Sequence, residues 1–190
     1  MRRRTDRARL LLVASACGVL ITGAACSDEA ATPGLAGSPT VVAPSATEDP
    51  AQAQARTDVM AVYSFYRTAY QAAASKADFK SKELPKYAAE PLLGQLVNSF
   101  AQMREAGVVS RGESIWDPTV VDVDLDASPA IVTIEDCRDT TAVVTVSAKT
   151  GKPMPAPSNQ AKKYVVVSKA KSVNNRWYIF ESTGDRSRPC

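Results

Sequence analysis

The chain has 190 residues with 45% hydrophobic and 23% charged, a globular composition that excludes a wholly disordered protein. Four cysteines, no histidine and a formal charge of +3 complete the count. The missing histidine removes Ser-His-Asp and Cys-His catalysis, histidine zinc ligands and the commonest general base.

Residues 1–9 carry five arginines and one acid, and Leu10–Ala25 then runs sixteen residues without a charge. A basic start, a short apolar stretch and small residues before a cut site form a signal peptide over 1–25. The apolar stretch falls short of the roughly 20 residues that a spanning helix needs. Gly23-Ala24-Ala25-Cys26 resembles the lipobox of bacterial lipoproteins, which implies a lipid-bearing Cys26 as the mature N-terminus. The alternative is ordinary cleavage after Ala25 and secretion. Cysteine arithmetic favours the lipid: Cys17 leaves with the leader, and lipid on Cys26 lets Cys137 and Cys190 pair in an oxidising compartment. Without residues 1–25, 18 basic residues face 19 acidic ones, a net −1, so no overall basic footprint for nucleic acid remains.

Residues 26–52 read as the lipidated N-terminus and a disordered linker, rich in Pro, Ala, Ser and Thr and lacking aromatics. Asp49-Pro50 marks a helix start. Val59, Val62, Tyr63, Tyr66, Tyr70 and Ala73 then fall at helical spacing. A second helical stretch covers 85–106 and is interrupted at Pro91. Its stripe is Leu92, Leu93, Leu96, Val97, Phe100 and Met103, and Gly107 ends it.

Beyond Gly107 the period becomes two. Strands are predicted over 108–116, 119–126, 130–136, 140–148, 163–173 and 176–182, with turns at Ser128-Pro129 and Asn174-Asn175. The predicted class is α+β, two to three N-terminal helices packed on an antiparallel sheet, in one domain over 53–190.

The chemistry-bearing residues divide as follows. Asp122, Asp124 and Asp126 alternate with Val121, Val123 and Leu125. A calcium loop would need Gly and Glu where Ala127 and Thr133 stand, so these acids read as the solvated face of a strand. Glu135, Asp136 and Asp139 flank Cys137, and the preferred reading is a polar strand end beside the Cys137–Cys190 disulfide rather than an acid–base pair. Tyr63, Tyr66, Tyr70, Trp116 and Trp177 are candidates to line a pocket, or else to fill the core. The proline-rich segment 149–161 is long for a loop and is a candidate rim. Lys162, Lys163, Lys169 and Lys171 suit either an anionic surface or the protection of a strand edge.

Val59, Tyr63, Tyr66, Gly112, Ala130-x-Val132, Cys137-Arg138-Asp139, Arg176-Trp177-Tyr178-Ile179 and Cys190 together resemble the small secreted proteins of the nuclear transport factor 2-like (cystatin-like) superfamily, especially actinobacterial lipoproteins. The resemblance implies a curved sheet wrapped around helices into a cone. It carries over no catalytic residue, and no cofactor or metal. Two functions stand as expectations. The first is a membrane-tethered, non-catalytic binding or interaction module at the outer face of the cytoplasmic membrane, serving a cell-envelope protein or a small apolar ligand. The second is an isomerase or dehydratase working in the cone.

Overall fold

Helix α1 (Pro50–Ala74) begins where the sequence marks it: the Asp49 carboxylate accepts the Ala51 N–H at 2.8 Å, with proline at the first helical position. This computed structural model describes residues 49–155 and 159–190. The signal peptide, Cys26, the linker up to residue 48 and the tip of the proline-rich loop lie outside the described residues. No helix among the described residues is long and apolar enough to cross a membrane.

Along α1, Ala55, Val59, Tyr63, Tyr66, Ala69 and Ala73 are buried, one stripe at three- and four-residue spacing. A 3-10 turn (Leu84–Lys86) leads to α2 (Leu92–Glu105), which buries Leu92, Leu96 and Phe100. Gly107 follows at φ +65°, the left-handed conformation that stops a helix.

Six strands complete the domain: β1 (Val108–Arg111), β2 (Pro118–Asp124), β3 (Ile131–Asp139), β4 (Val144–Ser147), β5 (Lys163–Val173) and β6 (Arg176–Asp185). They form an antiparallel sheet in the order β2-β3-β5-β6 and a separate β1-β4 pair. Both helices pack on the strands, α1 against β2, β3 and β6, and α2 against β1 and β6. The core joins the α1 stripe and the apolar residues of α2 to Val132, Ile134, Ala170 and Ile179. Each large apolar side chain so buried contributes about 1.5–3 kcal/mol. The backbone of Tyr87 and Ala89 bonds Ile179, which partly covers the outer edge of β6.

Two predicted strands are cut short. The 108–116 strand ends at Arg111 because Gly112 turns the chain at φ +81°, and a Cβ there would lie 1.9 Å from the Ala142 carbonyl oxygen. Opposite it, residues 140–143 form a turn closed by Val143 N–H to Thr140 O, so β4 starts only at Val144. The link from Gly112 to β2 returns to the sheet through Ile115, which exchanges both backbone hydrogen bonds with Asp139. Trp116, expected on a strand, therefore sits on this link.

Two β-bulges reset the inward face. On β2 the register skips Val121, so Val120, Val123 and Leu125 pack on the core while Val121 is 50% exposed. On β6 it skips Phe180: Trp177 and Ile179 face the helices on one side of the bulge, and Ser182, Gly184 and Arg186 line the interior on the other.

Candidate functional site

The inward face of β3 reads Val132, Ile134, Asp136, so a carboxylate continues an apolar row. Asp136 is 1% exposed. Its Oδ2 accepts the Tyr63 hydroxyl at 2.8 Å, its Oδ1 accepts the Asp117 N–H at 2.8 Å, and Arg67 Nη1 lies 3.7 Å from Oδ2. A buried carboxylate persists only with such partners. Burial first, and then the Asp136 charge, push the Tyr63 phenol well above its usual range, so it stays a hydrogen-bond donor.

Arg67 is four residues from Tyr63, one turn along the same helix face. Its guanidinium lies 3.4 Å from the centroid of the Trp116 ring, and that of Arg138 lies 4.5 Å from the same ring. Burial pulls the Arg67 pKa down to about 10 against the attraction of Asp136, and the nearby Arg138 charge pushes the same way as burial. Among the described residues Arg67 Nε is buried without a hydrogen-bond partner.

Beyond this cluster lies a chamber of about 290 Å³, walled by Tyr66, Leu92, Leu96, Trp116 and Val166. An outer cleft of about 470 Å³ adjoins it and includes Met103, Thr145 and Lys162. Tyr70, Arg138, Tyr164 and Arg186 line both spaces and so form the boundary between them. Among the described residues neither lining contains an aspartate or glutamate. Arg138 Nε and Nη2 donate to Ser114 Oγ at 3.3 Å, and its guanidinium stands 5.5 Å from the Tyr70 ring centroid. Arg186 stacks on Tyr164 at 4.1 Å, donates to that hydroxyl at 3.3 Å and also bonds the Ala161 carbonyl. The Tyr164 ring fits because residue 184 is glycine; a Cβ there would approach it to 2.8 Å. Burial raises the Tyr66 pKa above the usual phenol range, opposed by a hydrogen bond with Ser182.

Of the five aromatic candidates, Tyr66, Tyr70 and Trp116 line the chamber. Tyr63 does not: it is 1% exposed, with its hydroxyl committed to Asp136. Trp177 packs on the core at the β5–β6 hairpin, seven residues or roughly 23 Å along the strand from Gly184. The acids near Cys137 do not converge. Glu135 pairs with Arg188 at 3.3 Å on the exposed face, Asp139 accepts the Thr141 N–H, and Asp136 alone turns inward. Asp124 caps its turn by accepting the Asp126 and Ala127 N–H groups. The lysines also separate: Lys162 enters the cleft, Lys169 pairs with Glu181 at 3.1 Å, and Lys171 donates to the Glu90 carbonyl. Cys137 and Cys190 are joined, with Cα atoms 5.8 Å apart, which ties the last residue of the chain to β3.

Asp136 as a core group and Arg67, Arg138, Tyr164 and Arg186 as site residues were not among the sequence-based expectations. The signal for Asp136 was the unbroken alternation Val132, Ile134, Asp136. The signal for Arg67 was a cation placed inside a tyrosine stripe.

No protein-family model matches this chain, and no curated protein matches its sequence. Among solved structures it is similar to the intermembrane space region of the chloroplast protein ARC6, at 13% identity and TM-score 0.49, covering 68% of this chain and 95% of that one. It is also similar to a protein of unknown function with a cystatin-like fold from Nostoc punctiforme, at 15% identity and TM-score 0.35, covering 72% of this chain and 96% of that one.

Proposed function

We propose that this is an envelope protein, lipidated on Cys26 and tethered to the outer face of the cytoplasmic membrane. Its nuclear transport factor 2-like domain holds a small ligand in the chamber without converting it. The observation that carries this reading is a cavity in which the nearest inward carboxylate is unavailable. Asp136 is buried behind Tyr63, with both oxygens occupied, and lines none of the clefts described above. A general base must reach the proton it removes, directly or through one water. An isomerase or dehydratase working in this chamber would need a base other than Asp136.

Thermal melting of the full chain against a small-molecule panel tests the binding reading. A ligand at a hundred times its Kd stabilises by about 2.7 kcal/mol, and mass spectrometry should recover it unchanged. A new chemical product that depends on the protein would overturn the non-catalytic reading. For the tether, Cys26→Ala should release the protein from the membrane fraction. Undiminished membrane association of that variant would refute the lipid anchor.

A further inference from the structure

We infer that the chamber selects a small organic monoanion, with its oxyanion head held between Arg138 and Arg186 and its apolar body against Tyr66, Leu92, Leu96 and Trp116. This rests on the reading above that the chamber is a binding site, and it names the class of ligand.

Charge comes first. Arg138 is half-buried at the boundary of the two spaces and Arg186 is exposed there, and among the described residues neither lining contains an acid. Among the described residues neither guanidinium has a carboxylate within 4.0 Å. Arg67 is different, because Asp136 already answers its charge from behind Trp116. Two cations without a carboxylate partner among the described residues attract an anion and leave a neutral ligand to shed their water without return.

Donor capacity and rigidity follow. An arginine carries five N–H donors. Among the described residues Arg138 donates to Ser114 Oγ, and Arg186 to the Ala161 carbonyl and the Tyr164 hydroxyl, which leaves each with N–H groups to spare. Stacking fixes both planes in advance, Arg138 beside Trp116 and Tyr70, Arg186 over Tyr164. A pre-oriented fork matches the two oxygens of a carboxylate better than a flexible ammonium does.

The rest of the chamber dictates the body of the ligand. Its walls mix aromatic and aliphatic side chains with Ser182 and the two arginines, and about 290 Å³ lies at the small end of ligand sites. A polyanion such as a nucleotide would find too little volume in the chamber, where Arg138 and Arg186 are the only cations among the described residues that line it. A compact ring or short chain bearing one carboxylate fits both halves.

The test is calorimetry on the full chain in phosphatidylcholine nanodiscs, with 3-phenylpropionate and its neutral isostere 3-phenylpropanamide as probes. The acid should bind one-to-one and at least about tenfold tighter than the amide. Arg138→Gln and Arg186→Gln should each abolish that preference, bringing the affinity of the acid down to about that of the amide. Circular dichroism and melting temperature report on folding; should Arg138→Gln unfold, the exposed Arg186→Gln decides. A third arm measures flotation of the Cys26→Ala chain with phosphatidylglycerol vesicles, where no binding is expected. Equal affinity for acid and amide overturns the anion selectivity and leaves the binding reading standing. Binding of neither probe overturns both. Vesicle binding that depends on the two arginines, without binding of the acid, shows that they read a membrane surface and also refutes the inference.

Discussion

Replacing Asp136 by Asn keeps the side chain's shape and removes its charge. The amide oxygen can still accept the Asp117 N–H, now 2.8 Å from Oδ1. On the other side the Tyr63 hydroxyl, 2.8 Å from Oδ2, would meet an NH₂ group, and Arg67 would lose its counter-ion at 3.7 Å. A charge-assisted hydrogen bond contributes about 1.5–3 kcal/mol, and orphaning one member of a buried ion pair costs about 3–5 kcal/mol. The Arg67 side chain keeps 16% of its exposure, so water recovers part of that cost. The expected loss for Asp136→Asn is therefore about 2–4 kcal/mol, or roughly 6–12 °C in melting temperature for a domain of this size. Urea unfolding of the wild type, Asp136→Asn, Arg67→Met and the double variant gives the coupling directly. Arg67→Met should recover about 1–2 kcal/mol in the Asp136→Asn background, because the unpaired cation is gone. A loss under about 0.5 kcal/mol for Asp136→Asn, the scale of a surface change, would refute the claim that this carboxylate ties α1 to β3.

Alkaline pH and reduction offer two independent checks. Tyr63 and Tyr66 have pKa values raised above the ordinary 10.0, so above pH 10 the folded chain keeps protons that the unfolded chain releases. Their contribution is whole below pH 10 and declines above it, by about 1.4 kcal/mol per pH unit for each ring. Absorbance at 295 nm should show a late ionisation phase that coincides with unfolding and vanishes in a Tyr63→Phe, Tyr66→Phe double variant; ionisation of all six tyrosines before unfolding would contradict this. Reducing Cys137–Cys190 opens a loop spanning 53 residues and should cost about 4 kcal/mol in the chain-entropy model, read as a lower urea midpoint. A midpoint unchanged by reductant would show that the C-terminal segment is held by its hydrogen bonds alone.

The helices and most strands were legible because their signals are local. Asp49-Pro50 starts α1 through one side-chain bond and a preset φ, Gly107 ends α2 through its positive φ, and β5 spans Lys163–Val173 as its alternation predicts. The site was less legible, for two reasons. A single extra residue at Phe180 reverses the parity of β6 and turns Ser182, Gly184 and Arg186 inward, and nothing in a period-two pattern announces it. Asp136 looked like a strand-end acid because charge is normally paired with solvent. What reverses that is a hydroxyl 73 residues away on α1, a partner that only the folded chain supplies.

By itself the sequence determined the domain's class, its helix limits and the candidate disulfide pair, since composition, capping and cysteine count act over short range or none. Tertiary structure alone decided which tyrosines face a cavity and which fill the core. It alone brought Arg138 of β3 and Arg186, just beyond β6, to one boundary that no acid lines among the described residues. Distances across the fold set charge balance and enclosure, and those distances exist only once the helices lie on the sheet.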